Sequence, residues 1–306
     1  MVSELFLLHT NTFARIFYIQ LIICVVLLPL TILCLKETRP NIIFKDSKYF
    51  NVDSPDFDVK DTSHKTRILN LLTVSLLRPL KLLTTEPIIA SMTLLSSFAF
   101  GLVFLATQSA GAVVFPDVFG FSAANASIVQ ITLLIGEIIG CAACLVQNKF
   151  YLRPLRKYDS HDHDTSKKEE TDNSSLIPEH HLPIAVLGAF LGISIGLFIY
   201  GGCSLSYLPW IAPVIGLTLV GFGIMCVVQA ASLYVTDAFP TVASSAIAGV
   251  AFGENIFAAF LPLATDKMYA VLGNVGASCL LGGCGVVLSC FPAILIWRGR
   301  RARRKS

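Results

Sequence analysis

Apolar residues in this chain come in long runs rather than in alternation. Seven stretches, at about 13–35, 87–108, 126–146, 182–201, 208–233, 243–265 and 273–297, carry few charges. Each approaches the ~20 residues that take an α-helix across ~30 Å of hydrocarbon. The pattern therefore predicts an all-α integral membrane protein with about seven transmembrane helices. Two polar segments, 36–86 and 147–181, interrupt the runs, and a basic tail, 298–306, follows the last. The organisation expected from this is an outer N-terminus with a first span (1–35), a cytoplasmic central loop (36–86), a six-helix membrane bundle (87–297) with a cytoplasmic loop at 147–181, and a cytoplasmic tail.

Composition agrees with the pattern. Of 306 residues, 54% are hydrophobic and 14% charged, with a mean hydropathy of +0.70, which excludes a water-soluble enzyme. The net charge of +3 is too small to argue for nucleic acid. Its placement says more. Nine Lys and Arg fall in 36–86, six in 147–181 and six in the tail, whereas the opposite side carries only Arg15 and Lys267. The positive-inside rule puts the long loops and C-terminus in the cytoplasm and the N-terminus outside. The segment before the first span has neither a basic residue nor a small-residue cleavage site, so that span is expected to stay in the membrane. Seven of the nine cysteines lie within apolar runs and read as packing residues. No disulfide framework, metal site or cofactor site is expected.

Glycines recur inside the spans, and Gly136-x-x-x-Gly140 and Gly192-x-x-x-Gly196 have the spacing that lets helix backbones approach closely. Ionisable groups at membrane depth are costly and usually face a bundle interior or an aqueous cavity. Glu137 and Glu254 are the acids that qualify. Either carboxyl can load and release a proton, or hydrogen-bond a neighbouring helix. Asn255 follows Glu254, and Gln108 and Gln229 are placed to touch a solute or to bridge helices, with bridging preferred. Phe98, Phe100 and Phe104 offer an aromatic wall, although that spacing also suits lipid or helix contact. His161-Asp162-His163-Asp164 lies in a polar segment with no second ligand cluster, and reads as a solvated linker. The glycosylation patterns at Asn125 and Asn173 are expected to stay unmodified. The basic tail fixes topology, with contact to anionic lipid following from it.

Particular residues resemble a family. Phe17-Tyr18-Ile19-Gln20, Leu27 to Leu30 and Lys36-Glu37-Thr38-Arg39 are similar to the sixth helix of fungal drug:proton antiporters of the major facilitator superfamily and the stretch that closes it, with Lys36 where proline is usual. Arg78-Pro79-Leu80-Lys81-Leu82-Leu83-Thr84-Thr85-Glu86-Pro87 resembles the entry to the seventh helix, and Phe119-Gly120-Phe121-Ser122 the turn before the eighth. Pro178-Glu179-His180-His181-Leu182-Pro183, Trp210-Ile211-x-Pro213, Tyr234-x-x-Asp237, Ala243-Ser244-Ser245-Ala246, Phe260-x-Pro262-Leu263 and Met268-Tyr269-x-x-Leu272-Gly273 follow in family order. The stretch matching Glu254-Asn255 commonly carries an arginine.

The resemblance implies a partial major facilitator fold, helix six plus the C-terminal six-helix bundle. It also implies proton-coupled efflux of amphipathic organic compounds from the plasma membrane or, alternatively, a vacuolar membrane. Small-molecule substrates, protons and membrane lipids are the expected partners. The antiporter signatures of the first five helices have no match here, so transport is expected to need a separate N-terminal half or a homo-oligomer. The competing expectation is a non-transporting, truncated membrane or interaction protein. A seven-helix receptor lacks its Asp-Arg-Tyr and Asn-Pro-x-x-Tyr motifs here, and no nucleophile signature supports an enzyme.

Overall fold

The computed structural model describes residues 17–32, 77–159 and 178–303. The chain divides into two units, 1–62 and 63–306, each taken by itself. In the first, Phe17–Ile32 forms one apolar helix, α1.

All regular structure described in the second unit is helical. A short helix, α2 (Arg78–Thr85), leads through extended Glu86 into α3 (Pro87–Phe119). Each has proline at its start, where the missing N–H costs nothing and the fixed φ suits a helix. The α3 helix outruns the edge expected at 108, because the small apolar residues Ser109–Val114 continue it as π-helical turns and Phe115–Phe119 as α-helix. It stops at Gly120, whose φ of +66° only glycine adopts freely. Ser122 then caps α4 (Ala123–Val129) by accepting from the Asn125 amide at 3.4 Å.

The next helix, α5 (Ile131–Asp159), runs well past the apolar edge at 146 into the segment expected to be loop. Leu, Arg and Lys there are good helix formers, so backbone hydrogen bonding outlasts hydrophobicity. Helix α6 (Leu182–Gly202) widens into π turns at Gly188–Ile195, and α7 (Ile211–Ala238) follows. The final rod, Ala243–Arg303, is broken at Gly273 (φ +69°, ψ 172°), giving α8 (243–272) and α9 (274–303). Helices α3, α5, α6 and α7 are long and apolar enough to cross hydrocarbon, as is each half of the final rod.

The core has two buried clusters, a large one built around Leu95, Leu102, Phe115, Ile193, Tyr200 and Leu217, and a smaller one around Ile89, Met92, Leu182 and Tyr234. Between them α7 packs on α3, α5 and α6. Its glycines meet backbone rather than side chains. A Cβ on Gly223 would lie 2.5 Å from the Gly188 carbonyl, and one on Gly216 2.6 Å from the Tyr200 amide. From the other side, Gly136 and Gly140 of α5 would place Cβ atoms 2.9 Å from Phe222 N and 2.8 Å from Phe222 O. Both glycine pairs singled out in the sequence thus sit at close crossings with α7, where van der Waals packing replaces a hydrophobic drive. The ends of the bundle differ. One, the loop end, carries α2, the last turns of α5 and the start of α6; the other, the turn end, carries 120–122, 203–210 and Gly273.

Candidate substrate and proton site

Glu254 stands 11 residues into α8, about 17 Å along its axis and so well inside the hydrocarbon. Its Oε1 accepts a hydrogen bond from Ser96 Oγ of α3 at 2.5 Å. Ser96 is fully buried. Thr93, about one turn earlier on α3, and the adjacent Ser97 are also buried, and their hydroxyls have no hydrogen-bond partner among the described residues. Gly253 makes this approach possible, since a Cβ there would lie 2.6 Å from Ser97 Oγ and 2.6 Å from Thr93 Cγ2. Four polar groups therefore gather where α3 crosses α8, and two of them hold unused hydrogen-bonding capacity. Such orphans are uncommon in buried positions, because an unmade hydrogen bond there costs about 1–3 kcal/mol.

Glu137 is held differently. It is half-buried at the crossing of α5 with α7, with no side-chain hydrogen-bond or ion-pair partner among the described residues, and its amide neighbours Gly221. Gln229 of α7 is half-buried and likewise has no side-chain partner there. Asn255 is exposed and donates back to Ala251 O of its own helix at 2.7 Å, so it does not join the Glu254 cluster. Gln108 does bridge helices, donating to Asp266 Oδ1 of α8 at 3.2 Å. Of the three phenylalanines, Phe98 is buried in the core while Phe104 is exposed and stacks edge-on with Phe100 at 5.7 Å, so they form no single wall.

The residues of the motifs spread along the loop end. Pro79 is buried, and its carbonyl lies 3.3 Å from where a Cβ on Gly249 would stand, which seats α2 against α8. Arg78 is exposed at the start of α2; Glu86 and Pro87 form the joint into α3. Asp237, at the end of α7, pairs with His181 Nε2 at 3.0 Å, and Gln147 Nε2 donates to the His180 carbonyl at 2.7 Å. These two contacts tie α5, α6 and α7 together. Pro262 lies half-buried within α8. Glu37, Thr38, Arg39 and the 161–164 motif lie outside the described residues.

Toward the turn end the structure adds contacts that the sequence does not reveal. Buried Tyr200 shares a 3.2 Å hydrogen bond with Ser109, the first residue of the π turns in α3. Buried Tyr269 reaches Ser278 at 3.4 Å across the Gly273 break. Gln130 Nε2 donates to Thr107 O at 3.1 Å. Aromatic rings of Phe115, Phe119, Phe121 and Trp210 cluster nearby, with centroids 5.6–6.4 Å apart.

A multi-pass helical bundle with a half-buried acid beside buried hydroxyls at mid-membrane fits the class of membrane carriers. Comparison with known proteins supports that class. Residues 2–262 match the family model of the Major Facilitator Superfamily. The chain belongs to that superfamily. It is 31% identical over 82% of its length to the MFS-type transporter oryN of Aspergillus oryzae, covering 46% of that protein. It is 28% identical over 97% of its length to the efflux pump radE of Floropilus chiversii, covering 53% of it. A major facilitator superfamily multidrug transporter of Candida albicans is 31% identical over 75% of the chain, which covers 35% of that protein. The chain thus spans about half the length, or less, of the curated relatives it matches. No solved structure matches it significantly.

Proposed function

We propose that this chain serves in proton-coupled efflux of amphipathic organic compounds, with Glu254 as its proton-carrying group and the crossing of α3 and α8 as part of the substrate path. The observation that carries the reading is the Ser96–Glu254 contact flanked by the unused hydroxyls of Thr93 and Ser97. A protonatable carboxyl that can exchange its hydrogen bond with neighbouring hydroxyls suits a group that must bind and release a proton within the membrane. Relatives named efflux pump and multidrug transporter support export of organic solutes. The excess of basic residues in the loops and tail supports a cytoplasmic loop end and C-terminus, and a plasma-membrane location is part of the same reading.

The test is uptake of rhodamine 6G into proteoliposomes of the full chain under an imposed pH gradient. Gradient-dependent uptake that Glu254→Gln reduces at least about tenfold supports the proposal. Uptake that is equal with and without the gradient, or unchanged in Glu254→Gln, contradicts it.

A further inference from the structure

At the loop end, helices α6 and α9 leave an apolar groove of about 580 Å³. One wall is Pro183, Val186, Leu187, Phe190 and Leu191, and the other Ala293, Ile296 and Trp297. Both sets follow the i, i+3, i+4 spacing of a single helical face. From 183 to 191 the groove runs about 12 Å, most of the ~15 Å half-thickness of the hydrocarbon. Leu187, Phe190, Leu191 and Trp297 are each close to half exposed, so it opens outward to lipid.

What lies beyond the groove sets it apart from ordinary lipid-facing surface. Helix α9 continues without a break to Arg303, and the face defined by Ala293, Ile296 and Trp297 next brings up positions 300 and 301. Both are arginine, and Arg298 and Arg303 flank them. Trp297 stands at the junction, where an indole suits the headgroup boundary. On the other wall, the short stretch 178–182 that leads into Pro183 contains one acidic residue, Glu179, so the arginines outnumber it.

We propose that this groove is a binding site for an anionic phospholipid, one acyl chain lying along it and the phosphodiester headgroup meeting Arg300 and Arg301. Each basic residue near the surface contributes about fivefold to affinity for anionic lipid. Removing both arginines is expected to weaken the site about 30-fold.

The chain has two tryptophans, Trp210 and Trp297, so Trp210→Phe leaves Trp297 as the sole reporter. The full chain carrying that change is reconstituted in phosphatidylcholine vesicles. Dibrominated phosphatidylglycerol or dibrominated phosphatidylcholine is then titrated in, and indole quenching is read. Half-maximal quenching is expected at a mole fraction of phosphatidylglycerol at least about tenfold below that of phosphatidylcholine. R300Q/R301Q should abolish the preference and R300K/R301K should keep it, with helical circular dichroism unchanged in both. Equal quenching by the two lipids would reduce the groove to ordinary lipid contact and overturn the proposal. A preference that survives R300Q/R301Q would overturn it equally, by placing headgroup recognition elsewhere.

Discussion

Two Gly-Glu pairs lie within spans of this chain, Gly136-Glu137 in α5 and Gly253-Glu254 in α8, and the bundle uses them in opposite ways. Gly136 brings α5 against bare backbone of α7, with Phe222 N 2.9 Å from the missing Cβ. Glu137 is left with no side-chain hydrogen-bond partner among the described residues. Gly253 brings α8 against side-chain hydroxyls of α3, and its glutamate accepts a hydrogen bond from one of them. A glycine at a helix crossing therefore admits whatever the partner helix presents. Where the partner offers peptide groups already bonded within their own helix, the crossing is a packing seam. Where it offers hydroxyls with spare capacity, it becomes a place for exchangeable protons.

The contrast can be broken first at the seam. Gly136→Leu forces a side chain into the α7 backbone with no flexible atom to yield, and overpacking of this kind typically costs about 1–3 kcal/mol or more. The expected result is loss of the monodisperse peak in size-exclusion chromatography, the largest effect among these variants. At the polar crossing, Glu254→Gln keeps the volume and the fold but removes the exchangeable proton. Gradient-driven uptake should fall at least about tenfold, roughly 1.4 kcal/mol or more in transition-state terms, whereas Glu137→Gln should change it less than about threefold. Equal losses in the two variants would erase the distinction between the crossings.

Ser96→Ala sharpens it further. Removing one interhelical hydrogen bond in a membrane costs about 0.6–2 kcal/mol, so a modest drop in thermal midpoint is expected. Uptake should fall severalfold, less than for Glu254→Gln, because Thr93 and Ser97 remain beside the carboxyl. The smallest effect belongs to the loop end, where His181→Ala removes the partly exposed contact to Asp237. About 1 kcal/mol or less is expected, read as a slight shift in thermal midpoint with uptake unchanged.

Much of this was legible in the residues, for physical reasons that also mark where legibility stopped. Spanning helices announce themselves because hydrocarbon tolerates no unsatisfied backbone, so apolar length is itself the signal. Helix ends do not: α5 runs on to Asp159 and α8 to Gly273 because helical hydrogen bonding needs no lipid once begun. The two glutamates looked alike, since what separates them is the partner helix. Ser and Thr in membrane helices commonly bond back to their own backbone, as Thr107 and Thr218 do here. Nothing in the sequence distinguished Thr93 and Ser97, which do not. The run Thr93-x-x-Ser96-Ser97 in an otherwise apolar helix was the signal available. Tyr200 and Tyr269 were obscured by lying near span ends, where tyrosine is normally an interfacial anchor, although both turn inward to serine hydroxyls.

The most direct measurement is covalent labelling of the full chain in detergent with dicyclohexylcarbodiimide, which adds to a protonated carboxyl in apolar surroundings, followed by peptide mass mapping across pH. The polar crossing predicts that Glu254 is the principal site within the spans, that labelling declines as pH rises, and that Ser96→Ala alters the pH at which it declines. Labelling confined to Glu137, or no labelling of Glu254 at any pH, would contradict the claim that the α3–α8 crossing holds the exchangeable proton.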